Sequence, residues 1–282
     1  MRPPLISWIV AALIGWAYFP TIRDLFQRWM SDPQYSHGIL VPVFSLYLLY
    51  RNCDRAKEPA RPAPWLGYGL LFAALGCRAV AAMLFFLPLD AFSLILCLTG
   101  LVLVIGGVPV LRWTWPALAF LLFMIPLPYQ VERMMGAELQ TIATRCSTFL
   151  LQTLGQPAVA EGNRILINEV KLGVVEACSG LRMLMTFAAF CVAAVLLLER
   201  HWFVKALILV SAAPIALFTN ILRITATGLF HVGLQNSSMK ESVLGFIHDF
   251  NGWMMMPVGL GFLVVELWMF KHLLLEPPEH AT

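Results

Sequence analysis

FVKALILVSAAPIALFTNILRITATGLF, residues Phe203–Phe230, is the stretch whose reading decides the fold. It is 28 residues long, more than the roughly 20 apolar residues that carry a helix across a bilayer. Its charges are only Lys205 near one end and Arg223 toward the other. A run this long and apolar reads as a membrane span, and the arginine within it reads as a question about chemistry.

The rest of the chain agrees with a membrane setting. Of 282 residues, 60% are hydrophobic and 12% charged, where a soluble domain carries about a quarter charged residues. The mean hydropathy is +0.78. The formal charge of +3 is spread thinly with no basic block, which argues against nucleic acid as a partner. Cys77, Cys97 and Cys191 fall inside apolar runs, and Cys53 in a basic loop. Only Cys146 and Cys178 fall on one side of the membrane in the topology below. No CxxC or metal-type spacing occurs, so neither a metal site nor a cofactor is expected.

The pattern predicts an all-α multispan membrane protein with about eight transmembrane helices: Leu5–Phe19, Gly38–Tyr50, Trp65–Leu87, Ala91–Gly107, Trp113–Pro128, Gly180–Leu198, Phe203–Phe230 and Gly252–Leu273. The first reads as a retained anchor, because no small-x-small cleavage site follows it. The second and fifth are short or proline-bearing. Gly67, Gly69 and Gly76 are small residues suited to close helix packing. With the N-terminus inside, short inner segments hold Arg2, Arg51, Arg55, Lys57, Arg61, Arg112, Arg200, Lys205 and Lys271, against Arg23, Arg28 and Lys240 outside. That asymmetry places both termini in the cytoplasm.

The long outer segment 129–177 follows a five-span half, residues 1–128, and precedes a three-span half, residues 178–273, with a cytoplasmic tail at 274–282. Val131, Met134, Met135, Leu139, Ile142, Cys146, Phe149 and Leu150 recur at helical spacing, which predicts an amphipathic helix on the outer membrane surface. Alternation in Arg164–Asn168 and Val170–Val175, after a Gly162-Asn163 turn, predicts a few short strands before the sixth span.

Those strands lead to Glu176-Ala177-Cys178-Ser179-Gly180-Leu181-Arg182. Cys178 sits at the outer start of a helix, where the helix dipole and Arg182 favour thiolate. Glu176 opposes this unless it pairs with Arg182. Arg223 lies seven residues from the outer end of its span, roughly 10 Å, with Asn220 one turn earlier on the same face. An arginine at that depth is a functional candidate by default. Arg78, the other intramembrane arginine, reads as a packing residue or counter-charge to Asp90. His248 precedes the last span from outside, and His231 is the competing base. A thiolate, an imidazole and a guanidinium at one depth suit acyl transfer through a covalent intermediate.

These residues resemble the exosortase/archaeosortase family of membrane cysteine transpeptidases. The likeness includes Glu176–Arg182, Asn220-Ile221-Leu222-Arg223-Ile224, and His248 followed by Gly252. Asp32-Pro33-Gln34-Tyr35-Ser36-His37-Gly38 with Val41-Pro42 is similar to the N-terminal signature of the bacterial exosortase branch. The resemblance implies an enzyme of the bacterial inner membrane with its site at the periplasmic face. It would cleave exported proteins bearing a C-terminal Pro-Glu-Pro (PEP-CTERM) signal and pass the acyl group to an acceptor, in a setting of protein sorting and exopolysaccharide production. By matching position it makes Cys178 the nucleophile, Arg223 the charge stabiliser and His248 the acid/base, with Glu176, Ser179, Arg182 and Asn220 in support. Histidine rather than arginine at 248 points to the exosortase branch. His37 is read only as ordering the first outer loop.

Three other readings remain open at this level: a multispan transporter with Arg78 and Arg223 along its path, an intramembrane protease that releases its product to water, and a non-catalytic assembly factor for exopolysaccharide export. A transporter predicts acidic or proton-relay residues deep in several spans, and these are nearly lacking. No internal repeat of segments supports it either.

Overall fold

The computed structural model describes residues 12–53, 61–167, 170–173, 180–233, 254, 257–270 and 272. It is predominantly helical and divides into two compact units at the Pro128–Tyr129 boundary.

In the first unit, helical residues 12–17 lead into α1, Phe19–Ser31, which starts on Pro20. Proline suits a first turn because its missing N–H would have no partner there. The chain then turns through a 3-10 segment, Pro33–Ile39, into α2, Leu40–Arg51. Asp32 starts that segment by accepting a hydrogen bond from the Gln34 amide at 2.9 Å. Next come α3 (Pro64–Leu84), α4 (Leu87–Ile105) and α5 (Gly107–Phe120), the last running into a 3-10 turn, Leu121–Met124.

Helices α3 and α4 form a close hairpin, and its seam is made by glycine. A Cβ on Gly67 would lie 2.8 Å from the Gly100 carbonyl and 2.5 Å from Val104, while one on Gly100 would lie 3.0 Å from the Gly67 carbonyl. Backbone meets backbone at this pair, the arrangement that small residues permit in membranes. Gly69 and Gly76, expected to share the role, have no such neighbour within 4 Å. Only one of the three predicted glycines packs, and its partner comes from the next helix.

The turn end of the hairpin carries a polar cluster. Arg78 pairs with Asp90 at 3.2 Å, and both side chains are about a quarter exposed (26% and 23%). Thr21 donates to the other Asp90 oxygen at 2.6 Å and accepts from Arg78 at 3.2 Å. The guanidinium also bonds the Ala17 carbonyl and lies 4.2 Å over the Tyr18 ring. Tyr18 meets Ser93 at 3.1 Å, and Ser93 in turn donates to the Asp90 carbonyl at 2.7 Å. Asp90 was anticipated as the counter-charge. Tyr18 and Thr21 were not, because no local spacing links them to residue 78. Truncating one partner strands the other, so Arg78→Met should destabilise the protein by about 3 kcal/mol. Adding Asp90→Leu should recover more than half of that loss, read as thermal unfolding of the detergent-solubilised chain.

Two further long-range bonds hold the turn after α1. Trp29 Nε1 donates to the Met124 carbonyl at 3.0 Å, and the Leu127 amide donates to the Tyr35 hydroxyl at 3.1 Å. Gly38 fits beneath Trp29, where a Cβ would lie 2.3 Å from the indole nitrogen. His37 is buried and hydrogen-bonded to the backbone of Phe123 and Gln34, and burial lowers its pKa. The Asp32–Gly38 signature thus pins the 121–127 segment.

The second unit begins with α6, Tyr129–Thr153. Strands β1 (Ala158–Glu161), β2 (Arg164–Ile167) and β3 (Val170–Gly173) follow as an antiparallel sheet in that order. The β1–β2 turn has Gly162 at φ +60°, the conformation a two-residue hairpin needs at its first position and glycine supplies without strain. Alternation then directs Ala158, Ile165, Ile167 and Leu172 to one face, where they meet Ala143 and Leu151 of α6 and Ile224.

Ile224 belongs to α8, Trp202–Gly233, which is preceded by α7, Leu181–Leu197, and followed by an apolar helix α9, Pro257–Phe270. Met183 and Phe187 of α7 pack on Ala216 of α8. Cys191, Ile208 and Ala212 pack on Leu263 of α9. Gly259 of α9 lies under Phe187, where a Cβ would be 1.9 Å from the ring.

Among the described residues, four segments are long and apolar enough to cross a membrane: Pro64–Leu84, Leu87–Ile105, Gly107–Met124 and Trp202–Gly233. Helices α7 and α9 are apolar but shorter. The predicted second span, Gly38–Tyr50, is part 3-10 turn and part 12-residue helix, about 18 Å of helix and short of a crossing. The predicted first and eighth spans lie partly outside the described residues.

Candidate functional site

Helix α8 carries the polar residues of interest on its last four turns. Asn220 has no exposed surface and Arg223 is 4% exposed. Arg223 therefore does not snorkel; its guanidinium is enclosed and makes contacts within the protein. Thr219 donates to the Ile215 carbonyl at 2.7 Å and Thr227 to the Arg223 carbonyl at 2.9 Å, both buried. These two hydroxyls turn back onto their own helix, while Asn220 and Arg223 lie three residues apart on it. Ser147 of α6 reaches the Ile221 carbonyl at 3.3 Å and fixes α6 alongside.

The start of α7 meets this stretch. Gly180 precedes the helix at φ +80°, and a Cβ there would lie 3.2 Å from the Asn220 amide nitrogen. A side chain at 180 would be strained by the left-handed backbone and crowded by Asn220. The chain thus enters α7 in a tight turn directly against Asn220, one helical turn from Arg223. Arg182 is half-buried in the first turn of α7 and makes contacts within the protein. Thr186, one turn further, is buried.

Arg182 in the first turn of α7 and Arg223 of α8 are the cationic residues of these two stretches. In general a helix N-terminus and a guanidinium favour a thiolate and a developing oxyanion placed beside them. His231 lies in the last turn of α8, eight residues beyond Arg223, and is partly buried. Cys178, Glu176, Ser179 and His248 lie outside the described residues. Cys146, the other cysteine of segment 129–178, is an exposed free thiol.

The structure therefore brings together Gly180 and Asn220, with Arg223 adjacent. Sequence reasoning had paired Asn220 with Arg223 by helical spacing but passed over Gly180, whose signal was a small-residue turn at a helix start. Thr186 left no signal, since a threonine in an apolar run is unremarkable by pattern.

A family model described as transmembrane exosortase matches residues 29–265. No curated protein and no solved structure matches the chain. The matched region takes in the Asp32–Gly38 signature, most of the membrane helices, the Gly180–Asn220 contact and Arg223, and with most of the chain covered, this protein belongs to the transmembrane exosortase family of membrane transpeptidases.

Proposed function

We propose that this exosortase is a cysteine transpeptidase acting at the periplasmic face of the bacterial inner membrane on exported proteins with a C-terminal Pro-Glu-Pro signal. The observation that carries this reading is the Gly180–Asn220 contact beside an enclosed Arg223. Gly180 is two residues from Cys178, so the proposed nucleophile is tethered by two residues to the neighbourhood of the guanidinium.

In the proposed reaction the Cys178 thiolate attacks the scissile carbonyl carbon. The carbonyl electrons move onto oxygen, where Arg223 balances the charge. Collapse breaks the C–N bond, and the leaving amine takes a proton from the His248 imidazolium. The thioester is then attacked by an acceptor whose proton passes to His248, and the thiolate returns. Glu176, Ser179, Arg182 and Asn220 shape the turn and its charge. This chemistry uses only the chain's own residues. The topology that goes with it has eight spans, the second made by the 3-10 segment and α2 together, and both termini in the cytoplasm, supported by the basic residues of the short inner segments. The transporter reading loses one of its two arginines, since Arg78 is tied to Asp90, Thr21 and Tyr18.

Mass spectrometry of the new C-terminus on a processed, tagged substrate tests the proposal. An added group is expected and would identify the acceptor; a free carboxylate would mean hydrolysis and overturn the transfer. For the base, His248→Ala should lower turnover by about 10²–10⁴-fold, while His231→Ala should leave most of it. The reverse pattern would move the acid/base role to His231.

A further inference from the structure

Helix α6 is amphipathic in an unusual sense. The face turned to α8 and the sheet is made of small or hydroxyl residues with one leucine, namely Ala143, Thr144, Ser147, Thr148 and Leu151, all buried. The large apolar side chains are on the other side. Val131, Met135, Ile142, Cys146 and Phe149 are exposed, Phe149 to 71%. At 100° per residue these five fall within an arc of about 60°. Glu138, Arg145 and Gln152, also exposed, form a polar line along one flank of that arc at seven-residue spacing.

The depth of this arc follows from α8. That helix has 32 residues, about 48 Å at 1.5 Å per residue, against about 30 Å of hydrocarbon. Its start is marked as a membrane boundary by Glu199, Arg200 and His201, followed by exposed Trp202 and Phe203. Tryptophan prefers that level. Counting from Trp202, Leu217 lies at roughly 22 Å, inside the hydrocarbon, and Val232 at roughly 45 Å, beyond it. Helix α6 packs against this same stretch: Leu217, Ile221, Ile224 and Val232 all meet its core cluster, Ser147 bonds Ile221, and Leu151 touches Gly228. The part of α6 from Ile142 to Phe149 therefore stands where hydrocarbon gives way to headgroups. Its inner face is on α8 and its apolar arc points away.

We infer that this arc of α6 is a lipid-binding surface, its outer part at Cys146 and Phe149 seated at the boundary between headgroups and acyl chains, with Arg145 and Gln152 of the polar line turned to the headgroups. An apolar arc beside a polar line is how interfacial helices bind. Seated there, α6 and the sheet hold the outer turns of α8, and Arg223 with them, at a fixed height against the bilayer.

Cys146 lies inside the arc and provides the probe. The full-length chain with Cys53, Cys77, Cys97, Cys178 and Cys191 changed to alanine is spin-labelled at Cys146 and placed in phosphatidylethanolamine–phosphatidylglycerol vesicles. Relaxation of the label by oxygen, which partitions into lipid, is expected to exceed relaxation by a water-soluble nickel chelate severalfold. Nickel-dominated relaxation would mean a water-facing arc and would overturn the inference. Weak relaxation by both would mean that a second copy or another protein covers the arc, and would overturn it equally. Should the alanine variant not fold, the unaltered chain in the same vesicles is treated with a charged maleimide present on both sides, and the peptide beginning at Cys146 is quantified. Labelling severalfold slower than in the chain unfolded by dodecyl sulfate is expected. Labelling at the unfolded rate would sink the proposal.

Discussion

Cys178→Ala is expected to abolish processing of a tagged substrate, a loss of on the order of 10⁴-fold or more, while the variant still accumulates in the membrane. Without a nucleophile no thioester forms, and the remaining positive groups have only water to direct. Membrane levels of the variant and the processed fraction of substrate are measured side by side. Cys178→Ser separates size from chemistry: the side chains differ by a single atom, and serine should be nearly as inactive, because a hydroxyl's far higher pKa leaves almost no alkoxide where a thiolate would form. Normal processing by either variant would refute the cysteine mechanism.

The second large effect is expected at Arg223. Removing one group that stabilises an oxyanion costs about 10²–10³ in turnover, and Arg223→Ala should lose at least that. Arg223→Lys should recover only part of it, since lysine has neither the planar fork nor the same number of fixed donors. Burial complicates the test, because Arg223 is 4% exposed and Asn220 is fully enclosed beside it. Stability and chemistry must therefore be read separately, by thermal unfolding in detergent and by trapping of the acyl-enzyme. A charge stabiliser predicts that Arg223→Lys unfolds near the parent temperature yet accumulates thioester slowly. If Arg223→Lys forms thioester at the parent rate, the residue is structural and the role assigned to it is wrong.

Much of this protein is legible from spacing. The bounds of α7 and α8 differ by only a few residues from the predicted sixth and seventh spans, because a long apolar run has few alternatives in lipid. The helix Tyr129–Thr153 follows from its apolar period in the same way. Orientation on the two sides of that helix did not follow so simply. The large apolar residues that a soluble helix would bury are outside, and threonines and alanine are inside, because the outer solvent is taken to be lipid as well as water. Part of the candidate site was equally legible: Asn220 and Arg223 are three residues apart on one helix, and that interval alone makes them neighbours.

Residues that meet across elements were not legible. Periodicity tells which positions share a face and is silent on which face another helix will use. Gly67, Gly69 and Gly76 look alike along the chain, yet only Gly67 meets a backbone, because Gly100 of the next helix stands opposite. Arg78 was given Asp90 as a partner, but the Thr21 hydroxyl and the Tyr18 ring that complete its shell come from a helix more than fifty residues earlier. By itself, then, the sequence determined a membrane protein, the bounds of its clearest helices and an arginine placed deep in one of them. Only the tertiary structure decided that this arginine is enclosed rather than snorkelling, and that the turn after Cys178 closes on Asn220 through a glycine with positive φ. The reason is physical: helix formation in lipid is settled by each segment's own backbone hydrogen bonds, whereas close approach depends on the shapes of two surfaces that the chain brings together only when folded.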